Sequence, residues 1–123
     1  MNFRKQVLLS ALTLSILSAC SKPLSEEETL SLAEQNIEAG KIAEASINIK
    51  NVIKENPQNA QARLLLGKLY FEQSNFLSAE KELSKAVELA PTLDEAILTL
   101  AHTQLTLNRF DDALNIFFER RKC

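Results

Sequence analysis

Few side chains in this 123-residue chain are placed for covalent or acid–base chemistry. There is one histidine, His102, so three imidazoles cannot gather around a zinc ion. The two cysteines, Cys20 and Cys123, are too far apart for a C-x-x-C pair. Gly40 and Gly67 are the only glycines, too few for a loop that cradles phosphate. The run Glu26-Glu27-Glu28 concentrates carboxylates, but at a helix start it favours the helix dipole and reads as a solvated first turn rather than a cation site. No catalytic group, metal site, cofactor or small-molecule substrate is therefore expected. A formal charge of −2 also lacks the basic footprint of non-specific nucleic-acid binding. The one position in a chemically distinctive setting is Cys20, at the end of an apolar run.

That run is built like a secretory signal. Arg4 and Lys5 form a basic start, Val7 to Leu17 is apolar but for Ser and Thr, and small residues follow. It is too short to be a good permanent span, which needs about 20 apolar residues. Leu17-Ser18-Ala19-Cys20 resembles the bacterial lipobox. The resemblance implies cleavage before Cys20, diacylglycerol on its sulfur and an N-acyl chain, such as palmitate, on the new terminus. Two or more chains make a stable anchor. Ser21 stands where an aspartate would signal inner-membrane retention, so the resemblance implies an outer-membrane lipoprotein facing the periplasm. The other reading is an ordinary signal peptide with a coincidental cysteine. Cleavage would remove Arg4 and Lys5 from the 14 basic residues, leaving 12 against 16 acidic, a net of −4. Cys123 would then be the only thiol, and no disulfide could form within one chain.

Any working surface must be positioned by the rest of the chain, which is periodic. Pro57 and Pro91 are 34 residues apart, as are Ala45, Ala79 and Ala113, and Gly40, Ser74 and Asn108. The same interval links Leu32, Leu66 and Leu100, then Ala33, Gly67 and Ala101, then Ile49, Leu83 and Phe117. A 34-residue period with small residues at two fixed places resembles the tetratricopeptide repeat. The resemblance covers residues 26–123 and implies an all-α, right-handed solenoid of helical hairpins, a fold that holds partners and has no enzymatic role. The units read as 26–59, 60–93 and an incomplete 94–123, after a lipidated Cys20 and a tether that together span residues 20–25.

Within each unit apolar residues return at steps of three and four, a helical period. Helices are expected over 26–39, 43–55, 60–73, 77–89, 94–107 and 111–121. Ser25 with Glu28 reads as a capping box, Thr92 with Glu95 as a second, and Asn59 as a simpler cap. Residues before Pro57 and Pro91 are pushed out of the α region, ending the second helices. Gly67, Ala33 and Ala101 should let each first helix approach its partner, with Ala79 and its equivalents facing them. Leu66, Tyr70, Phe76, Leu83, Leu100, Phe110 and Phe117 should fill the space beside them.

Unit one matches the pattern least, with Asn36 where Tyr70 stands in unit two. Unit three puts Arg120 where Ala86 stands and stops before a closing proline or a polar capping helix. The sequence therefore reads as part of a longer array.

In tetratricopeptide folds the first helices line a concave groove. Carried onto this chain, the resemblance places Glu27, Leu30, Glu34, Ile37 and Glu38 there from unit one. Unit two contributes Gln61, Leu64, Lys68, Phe71 and Glu72, and unit three Glu95, Leu98, His102, Leu105 and Thr106. The result is an apolar stripe (Leu30, Ile37, Leu64, Phe71, Leu98, Leu105) with an acidic margin. The stripe reads either as a seat for a partner's helix or extended peptide, or as side chains that pack against one another or against further repeats. Chaperone-type members clamp a terminal carboxylate with Lys and Asn. The matching positions here hold Leu30, Glu34, Leu65, Glu95 and Thr99, so an acidic tail would be repelled.

The stretches Ile47–Asn51, Asn56–Gly67 and Ala79–Leu83 resemble the start of the tetratricopeptide lipoproteins of exosortase (PEP-CTERM) systems, which also open with a lipobox. This resemblance implies a protein-recruiting envelope scaffold linked to surface-protein sorting and exopolysaccharide. The alternatives are a pilotin-like lipoprotein assisting secretin or pilus assembly, or a fragment of a longer repeat protein without a function of its own.

Overall fold

The computed structural model describes residues 22–122. The signal-like run, the Leu17–Cys20 lipobox and Cys123 lie outside the described residues. Six helices follow one another: α1 Glu26–Glu38, α2 Ile42–Glu55, α3 Ala60–Glu72, α4 Phe76–Leu89, α5 Asp94–Thr106 and α6 Phe110–Arg121. They pair as three hairpins, each helix packing on its partner and the second helix of one hairpin on the first of the next. The fold is an all-α tetratricopeptide-like solenoid.

The turn inside each hairpin is set by one left-handed residue. Gly40 has φ +74°, and Ser74 and Asn108 each have φ +59°. After α1 the Gly40 amide donates to Ile37 (2.9 Å) and the Lys41 amide to Asn36 (2.7 Å), the paired bonds of a Schellman stop. Ser74 and Asn75 repeat them onto Phe71 and Tyr70, and Asn108 and Arg109 onto Leu105 and Gln104. These bonds end each first helix one residue earlier than expected, and each second helix begins one residue earlier, at Ile42, Phe76 and Phe110.

At the other ends, Asn56 and Ala90 leave the helical region (φ −132° and −137°) immediately before Pro57 and Pro91. Pro23 falls in the same 34-residue register. Ser25 forms the capping box with Glu28, and Asn59 accepts from the Ala62 amide at 2.9 Å. The second expected box is absent. The cap of α5 is Leu93, which makes no side-chain cap bond, because Leu93 rather than Thr92 occupies the position of Ser25 and Asn59.

The core lies along the two seams between units. One joins Leu30, Ala33, Ile49 and Val52 of unit one to Ala62, Leu65 and Leu66 of unit two. The other joins Leu64, Ala79, Leu83 and Ala86 to Ala96 and Leu100 of unit three. The close approach within unit two is made at Gly67, where the facing side chain is Leu83 rather than Ala79. Phe110 and Phe117, expected as filler, are largely exposed. Leu83, the unit-two counterpart of Phe117, sits in the seam between two units, whereas nothing among the described residues lies beyond unit three.

Candidate functional site

The first helices α1, α3 and α5 present the expected groove positions, but burial divides them. Leu30 (6 % exposed) and Leu64 (fully buried) are seam residues that cannot contact a partner, which corrects their assignment to the groove stripe. Leu98, at the same place in unit three, is 61 % exposed. One sequence position is thus core or surface according to whether a unit packs over it. Ile37 and Phe71 are half-buried, and Leu105 is exposed.

Phe71 is held by rings on both sides. Phe76 meets it edge-on at 5.2 Å between centroids, and His102 lies 4.8 Å away at a tilt. Phe71 also packs against the second seam, so it belongs as much to the joint between units as to the groove. His102 extends the same surface into unit three. Lys68, the one basic groove residue of α3, is half-buried with Nζ 2.5 Å from the Glu95 carboxylate of α5. Its charge is therefore matched locally, and Glu34, Glu38 and Glu72 make the surroundings negative.

Between α1 and α3 these side chains enclose a hollow of about 280 Å³ lined by Glu34, Ile37, Glu38, Leu65, Lys68, Leu69 and Glu72. Five of the seven were legible as groove positions. Leu65 was legible only as the equivalent of a carboxylate-clamp position, and Leu69, a buried floor residue, was not legible at all. A second hollow of about 510 Å³ opens beside Glu26, Glu27, Leu30, Ser31, Glu34, Asn59 and Gln61. A hollow of about 580 Å³ lies elsewhere, between α4 and α6, with charges of both signs.

The acidic run at the start of α1 is not simply solvated. Glu26 accepts from Asn59 Nδ2 at 2.7 Å and from Asn56 Nδ2 at 2.9 Å, tying unit one to the loop that begins unit two. These bonds, Asn59's first, hold its carboxyl below the usual range. Glu28 is lowered by the Ser25 backbone amide and hydroxyl of the capping box. Arg109, between Asp112 (2.8 Å) and Glu80 (2.6 Å), is raised. Among the described residues no three His, Cys, Asp or Glu side chains gather to hold a metal ion, and no helix is long and apolar enough to cross a membrane.

A family model described as "Anaphase-promoting complex, cyclosome, subunit 3" matches residues 38–120. Among solved structures, the second tetratricopeptide domain of Spaghetti (RPAP3) bound to the HSP90 peptide SRMEEVD superposes with a TM-score of 0.69 at 17 % identity. That match covers 75 % of this chain and 85 % of the other. A structure of MamA gives a TM-score of 0.69 at 20 % identity, covering 92 % of this chain and 60 % of MamA. A second MamA structure gives 0.68 at 20 %, covering 76 % and 51 %. At these identities the likeness is one of fold, and the chain spans little more than half of MamA. No curated protein sequence matches the chain.

Proposed function

The chain belongs to the tetratricopeptide-like family described as anaphase-promoting complex, cyclosome, subunit 3, and on that premise we propose that it is a protein-interaction scaffold whose concave groove holds an apolar, basic segment of a partner. The observation that carries this is the hollow between α1 and α3. Ile37 offers apolar surface above a floor of buried Leu65 and Leu69, while Glu34, Glu38 and Glu72 ring it and Lys68 is engaged by Glu95. A segment of alternating apolar and basic side chains would bury the first and pair with the second. The Spaghetti domain holds the peptide SRMEEVD, which has three acidic side chains. This groove favours the opposite charge.

The same proposal places the scaffold on a membrane. Leu17-Ser18-Ala19-Cys20 supports cleavage before Cys20 and attachment of lipid to its sulfur, with the repeats on the periplasmic side of an outer membrane. The resemblance of Ile47–Asn51, Asn56–Gly67 and Ala79–Leu83 to exosortase-system lipoproteins supports a link to surface-protein sorting and exopolysaccharide.

Fluorescence anisotropy of the full chain with two labelled peptides tests the groove. A peptide alternating leucine and lysine should bind at least tenfold more tightly than SRMEEVD. Equal binding, or preference for SRMEEVD, would overturn the groove reading. For the anchor, an alkyne-palmitate label should appear on the wild-type chain in a bacterial host and vanish in Cys20→Ser. Labelling that persists in the variant would contradict it.

A further inference from the structure

The outer faces of the first and last described units differ in kind. Ala62, Leu65, Leu66 and Tyr70 turn towards the preceding unit. Their counterparts 34 residues earlier are Glu28, Ser31, Leu32 and Asn36, so the first face is polar except for Leu32. Leu64, Phe71 and Leu83 turn towards the following unit. Their counterparts 34 residues later are Leu98, Leu105 and Phe117, exposed at 61, 47 and 42 %.

Helix α6 enlarges this second face. Phe110, Leu114 and Phe118 are also more than half exposed, and with Phe117 they recur at steps of three and four along one stripe. Arg121 closes the stripe with its guanidinium 5.4 Å from the Phe118 ring centroid. An aromatic side chain carries about 150–250 Å², so these six partly exposed residues present on the order of 500 Å² of apolar surface. That lies towards the upper end of the ~300–600 Å² seen for a monomer's largest patch, and two such faces would bury about 1,000 Å², the lower bound for specific association.

Charge indicates which surface would cover it. Asp111 lies in the first turn of α6 and Lys122 caps its other end in helical conformation, and at 3.6 residues per turn they fall on the same flank of the stripe. When two copies of a helix pack antiparallel about a two-fold axis, like flanks meet. Each Asp111 then faces the other copy's Lys122, whereas parallel packing about a two-fold axis brings opposite flanks together and leaves this pair unmade. Stacking the apolar face on another copy's polar first face would instead desolvate Glu28, Ser31 and Asn36.

We infer that the exposed face of α6, with Leu98 and Leu105 of α5, is a self-complementary surface on which a second copy of this chain docks antiparallel, α6 against α6. The surface meets the groove at Leu98 and Leu105 but leaves the hollow between α1 and α3 uncovered.

Light scattering of the full chain over a hundredfold concentration range tests this. The mass should rise from one chain to two and no further. Phe118→Glu should hold the chain at one copy with its circular dichroism unchanged. Asp111→Lys sets Lys against Lys122 and should raise the dimer dissociation constant about tenfold. Asp111→Lys with Lys122→Asp should restore it to within about threefold, so the charge pair decides the matter even if Phe118→Glu misfolds. A single-chain mass throughout would overturn the inference, as would association insensitive to both Phe118→Glu and Asp111→Lys, or growth beyond two copies.

Discussion

Gly67 lies directly against Leu83: a Cβ at position 67 would sit 2.5 Å from Leu83 Cγ and 3.3 Å from its backbone nitrogen. Leu83 is fully buried and the second contact is backbone, so neither gives way cheaply. Gly67→Ala gains about 1 kcal/mol of helix propensity. Overpacking outweighs it, and a net loss of about 1–2 kcal/mol is expected from chemical denaturation followed by circular dichroism. An unchanged or raised midpoint would show that α3 and α4 separate freely.

Ser74 carries a side chain in a conformation that suits glycine (φ +59°). Its unit-one counterpart is Gly40, whose missing Cβ would meet open space. Ser74→Gly should therefore raise stability by about 0.5–1 kcal/mol, the relief of left-handed backbone less the entropy of a freer unfolded chain. A drop in the denaturation midpoint would contradict this.

Leu64 and Leu98 occupy one sequence position and two environments. Leu64→Ala should cost about 2–5 kcal/mol, since it empties the seam between units two and three. Leu98→Ala should stay within about 0.5 kcal/mol, measured in the Phe118→Glu background so that docking does not intervene. Equal losses would mean that Leu98 is also covered.

Leu64 and Leu98 are equivalent in the sequence and differ only in what packs over them. The 34-residue interval made the hairpins legible, because Gly40, Ser74 and Asn108 each turn the chain in the same left-handed way. Helix ends were displaced by one residue because the turn bonds reach back into α1, α3 and α5, which periodicity does not register. Thr92 looked like a cap on residue type alone, although Leu93 holds the capping position. In the groove, Glu34, Ile37, Lys68 and Glu72 were legible from their positions in the repeat. Leu30 and Leu64 share that periodicity, and only the packing of the following unit buries them.

Acid should loosen the junction between units one and two. Glu26 is held below its ordinary value by Asn59 and Asn56, so its contribution is fully present above about pH 4.3, the unfolded value. It is lost as pH falls through the lower folded value. Glu26→Gln should therefore flatten the dependence of stability on pH in that window and leave the slope above pH 6 unchanged. A slope in the acid window identical to wild type would show that the asparagine contacts do not persist in solution.

If groove charge selects the partner, reversing that charge should reverse the choice. Titrations of wild type and of Glu34→Lys/Glu72→Lys with the leucine–lysine peptide and with SRMEEVD should show preference for the first peptide in wild type and for the second in the variant. Both substituted side chains are exposed, so helicity should not change. A preference that survives reversal in a folded protein would place the binding surface elsewhere and contradict the account.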